Sequence, residues 1–332
     1  MATTSPPGTG TPTVSPSASA GEPPASALQA IGPVPPHSHA LVGTTDGWLF
    51  IASNGGGIVA RVNPTSGEVL ARRGLGHRGE LAAVEVGVSV WVLQRSNEGI
   101  SRLFGLDAET LEIRSRRTLV SAAEGIAAAD GHLWLGVGTS LTEIDLASGG
   151  TVDQVQLPHR IERVAGDPNS GLLYVTLEGP VRKGQAPLIE LDGSSGGLIA
   201  YARAGYADLG GVSHLVPTPT GVWVGEPTGM MGTLSFYEAN DLVAPQGFDE
   251  GKDGHGVIYG ANSITAAYAA GYLWVAHGEG TVTCADARTG RKLGTLMDGS
   301  PSGSADIATV GGQPMTIVDS TLYAIDELIA CS

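Results

Sequence analysis

The stretch Ala269–Leu296, AAGYLWVAHGEGTVTCADARTGRKLGTL, decides the fold. It divides into three short runs of strand character, Tyr272 to Ala276, Thr281 to Asp286 and Lys292 to Leu296. His277-Gly278-Glu279-Gly280 and Ala287-Arg288-Thr289-Gly290 separate them, both built from residues that tight turns require. Three strands of this size cannot bury their apolar faces alone, so the unit predicts neighbours of its own kind.

The chain carries about seven such units. Aromatic-led strands begin at Trp48, Trp91, Trp134, Tyr174, Trp223 and Trp274, with Met315 in the seventh place, 40 to 51 residues apart. All five tryptophans fall at this one position in the reading. A strand of apolar-Ala pattern precedes each. A third strand ends in a polar residue at Asn63, Asp107, Asp145, Asp192, Glu238, Asp286 and Asp326, and turns such as NPTSGE, DLASGG and DARTGR lead to a fourth. Four strands per repeat predict an all-β chain, a seven-bladed β-propeller of four-stranded antiparallel blades. The recurrent third-strand carboxylates are expected to accept turn N–H groups rather than to do chemistry. The seventh repeat has only three strands. The apolar segment Ala27 to Val34, ALQAIGPV, is expected to supply its fourth, closing the ring and removing an exposed edge. The domain reading is a disordered Ser/Thr/Pro-rich tether over 1–26 and the propeller over 27–332.

The pattern of apolar-Ala, G-x-L-W-V and a strand ending in Asp before a T-G or S-G turn resembles the YVTN (YncE-like) and quinoprotein-like repeat propellers. The resemblance covers about Ala27 to Ser332. It implies the fold; those families include binding proteins, scaffolds and several enzymes. The tether resembles the segment that follows the lipidated cysteine of bacterial surface lipoproteins. That implies an extracytoplasmic protein, secreted or held at the cell surface by a lipid anchor outside this sequence.

A net charge of −15 with no Lys/Arg cluster excludes nucleic acid and an anionic membrane surface as partners, since both need a positive footprint. No apolar run approaches 18 residues, so the sequence contains no membrane-spanning helix. Cys284 and Cys331 suit one disulfide in an oxidising compartment, or two buried thiols; their spacing leaves both open and excludes a C-x-x-C pair.

With the first strand of each blade innermost, the loops from fourth to next first strand share a face with those from second to third strand. On that face three connections read as enlarged: Leu177 to Ala186, Gly225 to Gly232 and Phe248 to Asn262, all in blades 4 to 6. Loops that grow at neighbouring sites build partner surfaces. Aligned on the apolar-Ala pattern, the inner strands enter at His39, Glu80, Gly125, Arg163, His214, Ser263 and Asp306. Glu124 and Glu162 stand just before two of them. With His277 and Glu279, a tunnel-mouth ligand set of His39, Glu80, Glu124, Arg163, His214, Ser263, His277, Glu279 and Asp306 is expected. No H-x-x-x-H or H-E-x-x-H spacing marks a metal. The expectation is therefore a monomer that binds a protein or small molecule without a cofactor. The alternative is a metal-assisted lyase or hydrolase at the tunnel mouth, similar to the virginiamycin B lyase type, in which a divalent metal would be held by residues such as His214, His277 and Glu279.

Overall fold

The computed structural model describes residues 28–34, 38–43, 49–53, 57–76, 79–96, 99–167, 169–178, 188–202, 212, 214–228, 231–242, 257–261, 265–277, 281–297, 306–318 and 320–331. Its strands fall into seven antiparallel four-stranded sheets. A first strand, β1 (Leu28–Pro33), precedes blade 1, which comprises β2 (Ser38–Gly43), β3 (Leu49–Ser53), β4 (Ile58–Val62) and β5 (Val69–Gly74). Blade 2 holds β6 (Glu80–Val86), β7 (Ser89–Arg95), β8 (Ser101–Asp107) and β9 (Ile113–Leu119). Blade 3 holds β10 (Ala123–Ala129), β11 (His132–Val137), β12 (Ser140–Ile144) and β13 (Thr151–Gln156). Blade 4 holds β14 (Ile161–Gly166), β15 (Leu172–Leu177), β16 (Leu188–Asp192) and β17 (Leu198–Tyr201). Blade 5 holds β18 (His214–Thr218), β19 (Gly221–Thr228), β20 (Met231–Glu238) and β21 (Val257–Ala261). Blade 6 holds β22 (Thr265–Ala269), β23 (Tyr272–Ala276), β24 (Thr281–Asp286) and β25 (Lys292–Met297). Blade 7 takes β26 (Asp306–Val310), β27 (Gln313–Val318) and β28 (Thr321–Ile325) from the end of the chain and β1 from its beginning. The single helical turn α1 (Glu327–Ala330) follows β28.

The closing strand stands where the sequence placed it. β1 runs antiparallel to β28, with Leu28 opposite Ile325 and Pro33 opposite Thr321. Ile31 packs with Ile51, Val62 and Met315 on the blade 1 side, and Leu28 with Trp274 and Ile307 on the blade 6 side. One strand thus contributes to the cores on both sides of blade 7.

The hydrophobic core lies between blades. Trp91, Trp134, Trp223 and Trp274 are fully buried, each facing the next blade or its own seam. At five third-strand turns the predicted side-chain caps form: Asn63 accepts from the N–H of Thr65, Asp107 from Thr110, Asp145 from Ser148, Asp192 from Ser195 and Asp286 from Thr289, while at Glu238 the turn is closed by its backbone carbonyl, which accepts the Leu242 N–H. Each cap replaces water on backbone groups that the turn leaves without ladder partners.

One repeat position needs correction. Trp48 precedes β3 and lies outside the described residues; fully buried Phe50 takes the aromatic place of blade 1. Phe50 stands opposite Arg61 as Trp134 stands opposite Glu143, one pair in from the strand end in both blades.

Inner strands converge at one end. A Cβ at Gly166, the last residue of β14, would lie 2.0 Å from the Ala128 carbonyl oxygen of β10, and one at Gly43 would lie 1.5 Å from that of Thr309. Only glycine permits that approach. The Thr309 hydroxyl donates to the Tyr268 carbonyl at 2.7 Å, joining blades 7 and 6 at the same level. The opposite ends of these strands, where Glu80, Arg163 and His214 lie, form the mouth.

Candidate functional site at the propeller mouth

Three inner strands carry a register shift at the mouth: between Ser38 and Ala40, between Ala123 and Gly125, and between Ile161 and Arg163. The extra residues are His39, Glu124 and Glu162. A β-bulge of this kind redirects one side chain out of the alternation. Glu162, which the sequence placed only beside the ring, is thereby a mouth residue. Its sequence signal is the pair of adjacent polar residues, Glu162 and Arg163, between the apolar Ile161 and Val164.

Counting outward from the residue opposite each strand-2 aromatic, Gly125, Arg163, His214 and Asp306 share one level. Glu80 does not: it stands two residues farther out, opposite Arg95, and its level is taken by Ala82. The predicted ring is therefore staggered, because the apolar-Ala pattern of β6 is two residues longer.

The blade 2 to 4 arc is a chain of alternating charges. Arg95 pairs with Glu80 and donates to the Glu124 carbonyl at 3.2 Å. Glu124 accepts from Arg160 Nε at 3.1 Å, and Arg160 also faces Glu178 at 3.6 Å. Glu124 and Glu178 together hold the Arg160 guanidinium above its usual range. These groups neutralise one another and brace three blades.

The arc over blades 4 and 5 differs. Glu162 Oε1 accepts from the Val212 N–H at 2.6 Å, and burial pushes its carboxyl up despite that bond. Arg163 donates to the Glu162 carbonyl at 3.1 Å. Burial, with the Arg163 charge beside it, lowers the His214 imidazole to about 4, so it is neutral at physiological pH. A buried carboxyl, a neutral imidazole and the Arg163 guanidinium present hydrogen-bonding groups of mixed character, which suits a polar ligand.

Other predicted residues separate. His277 follows β23 and is nearly buried, with Nε2 2.9 Å from the Thr283 hydroxyl. Asp306 accepts the Ile307 N–H at 2.8 Å, and its carbonyl accepts the Thr316 hydroxyl at 2.7 Å. The backbone of His39 lies in β2; its side chain, with Ser263 and Glu279, lies outside the described residues. Among the described residues no three His, Cys, Asp or Glu side chains converge as a metal site would require.

Two of the enlarged connections contain strand. Gly225 to Gly232 is mostly strand: β19 and β20 run on past the start of β18, pairing Glu226 with Thr233, Pro227 with Gly232 and Thr228 with Met231. β18 begins at His214, opposite Gly225, so this part of blade 5 rises above the ring. Outer strand β21 rises with it, pairing Tyr259 with Thr233 and Ala261 with Met231. Val257–Ala261 is thus a fourth strand inside the stretch read as Phe248 to Asn262. The rest of that stretch, 248–256 and Asn262, lies outside the described residues. Leu177 to Ala186 lies outside the described residues beyond Glu178.

Cys284 and Cys331 form a disulfide with Cα atoms 5.7 Å apart. It ties the residues after β28 to the middle of blade 6.

Neither a family model nor a curated protein sequence matches the chain. Solved structures share the fold. The computationally designed Ika8 protein superposes with a TM-score of 0.60 at 13% identity, covering 90% of this chain and 100% of that one. BamB from Moraxella catarrhalis gives 0.52 at 14% identity over 86% of this chain and 84% of that one. At such identities the likeness establishes the β-propeller architecture alone.

Proposed function

We propose that the chain is an extracytoplasmic recognition propeller of the YVTN-like, lipoprotein type, which binds a protein or small polar ligand over its mouth without a cofactor. The observation that carries this reading is the three-stranded ledge of blade 5. β19, β20 and β21 stand above the inner strands on the side of the mouth where Glu162, Arg163 and His214 gather. Strands that rise beside a polar floor build a wall, the shape of a recognition site. The Cys284–Cys331 bond supports an oxidising compartment. The Ser/Thr/Pro-rich stretch before Leu28 supports a spacer from an anchor.

The test is comparative capture from cell envelopes. A chain in which Glu226–Thr233 is cut back to a two-residue turn keeps the ring and loses the ledge. A partner retained by the intact chain and lost by the trimmed chain, at equal thermal stability, supports the reading. A partner retained equally by both places recognition elsewhere.

A further inference from the structure

The seam between blades 4 and 5 departs from its neighbours. At the seam before it, Trp134 Nε1 donates to the Gly193 carbonyl in the third-strand turn of blade 4, at 2.7 Å. At the seam after it, Trp223 Nε1 donates to the Ala287 carbonyl in the corresponding turn of blade 6, at 2.8 Å. Blade 4 has Tyr174 in the tryptophan position, and its hydroxyl is buried without a hydrogen-bond partner. Directly opposite Tyr174, on the same face of the sheet, stands Glu190, with no exposed surface at all. Glu190 Oε2 accepts the Asn240 N–H of the blade 5 turn at 2.8 Å, while its Oε1 is buried without a partner. Asn240 holds a positive φ of 67°, so that turn is itself in an uncommon conformation. The polar link across this seam is therefore a carboxyl-to-amide bond in place of an indole-to-carbonyl bond.

We infer that Glu190 is a proton-binding site that governs the blade 4–5 seam: the closed seam holds the carboxylic acid, and release of that proton to solvent loosens it. Beyond the Asn240 N–H, the surroundings offer an anion no countercharge. On β16 the other charge is Asp192; β15 and β17 bring only the tyrosines Tyr174 and Tyr201; β19 and β20 bring, among the described side chains, Tyr237 and Glu238. The flanking turns add Asp167 and Asp241. The mouth end has Glu162, Glu178, His214 and Arg163; Arg163, opposite Thr176, is the one cation on these packed elements among the described residues. A lone buried carboxylate amid acids is strongly disfavoured. Burial pushes the Glu190 carboxyl up, in keeping with that geometry. A neutral Glu190 also gains an O–H donor, and this face holds two hydroxyl oxygens without hydrogen-bond partners, Tyr174 Oη and Thr176 Oγ1, that can act as acceptors. The sign follows. A native pKa above the unfolded one gives stability that is complete below the ordinary glutamate range and is lost as pH rises through the native value.

The experiment uses the full chain. Carboxyl carbons are followed by NMR between pH 4 and 8, with Tm and amide exchange at Asn240. Two glutamates are expected to titrate above the ordinary range, Glu162 and Glu190, and E162Q leaves one. In E190Q that one vanishes, Tm exceeds that of the parent increasingly as pH rises, by about 2–4 °C per pH unit across the window, and protection of the Asn240 amide relative to its intrinsic exchange rate stops depending on pH. If E162Q leaves no high-titrating glutamate, or E190Q follows the parent at every pH, the inference is overturned. Should E190Q not fold, the parent and E162Q spectra decide the matter alone.

Discussion

Trp134 Nε1 donates to the carbonyl of Gly193, 59 residues later and one blade on, at 2.7 Å. The indole lies under the turn that Asp192 caps, and a Cβ at Gly196 would come 2.8 Å from its ring edge. Trp223 and Ala287 repeat the bond between blades 5 and 6. At these two seams the tryptophan of one blade is thus fastened to the third-strand turn of the next, whereas Trp91 Nε1 is buried without a partner and Trp274 Nε1 donates within its own blade to the Ala269 carbonyl at 3.4 Å.

Trp134→Phe should remove the donor while keeping most of the ring, leaving a buried carbonyl unpaired. A loss of about 1–3 kcal/mol in urea unfolding is expected. Gly196→Ala should cost at least as much, because Gly196 has φ of +66° and its new methyl would also meet Val155 at 2.7 Å. Equal stability of either variant with the parent would mean that the clasp does not hold the seam.

The turn caps set an acid limit. Thr110, through its N–H and hydroxyl, followed by Arg114, holds the Asp107 carboxyl below its usual range; the Ser194 and Ser195 hydroxyls do the same for Asp192. A lowered native pKa gives stability that is present above the ordinary aspartate value and lost as pH falls through the native one. Urea midpoints recorded from pH 7 to pH 2 should fall on the acid side, and Asp107→Asn should make that fall shallower. An unchanged acid slope would contradict the assignment.

The disulfide closes a stretch of 47 residues, for which the chain-entropy relation gives about 4 kcal/mol. Gly294 leaves room for the carbonyl of Ala330, where a Cβ would approach to 1.9 Å, so α1 is seated against β25. Reduction, or a Cys284→Ser and Cys331→Ser chain, should lower Tm and open residues after Asp326 to carboxypeptidase. Loss of neither protection nor stability would count against a fastening role.

Truncation separates the two parts of the N-terminus. Removing residues 1–26 should leave Tm unchanged. Removing 1–34 takes away Leu28 and Ile31 and bares the edge of β28, so Tm should drop sharply and the chain should associate. A ring indifferent to the second cut would refute closure by β1.

Most of the architecture was legible because it repeats. Strand order, closure by Ala27 to Val34 and the capping role of Asp107, Asp145 and Asp192 all follow from period and turn chemistry. What escaped was local. GWLF reads like GHLW with its tryptophan shifted two places, and only pairing with Arg61 shows Phe50 in the seat. The bulges at Glu124 and Glu162 add one residue without disturbing composition. GEPTGMMG reads as a loop because Gly and Pro break strands in general, yet Pro227 falls where β18 has ended and β19 is an edge, which is where a strand tolerates proline.

The claim that recognition occurs over the mouth is tested most directly by site-specific photo-cross-linking in intact cells. A photoreactive residue at position 228, the tip of the blade 5 ledge, is compared with one at Ala147, exposed in a turn of the opposite face. The account predicts a discrete adduct from position 228 that is absent from position 147. An adduct from 147 alone would contradict it.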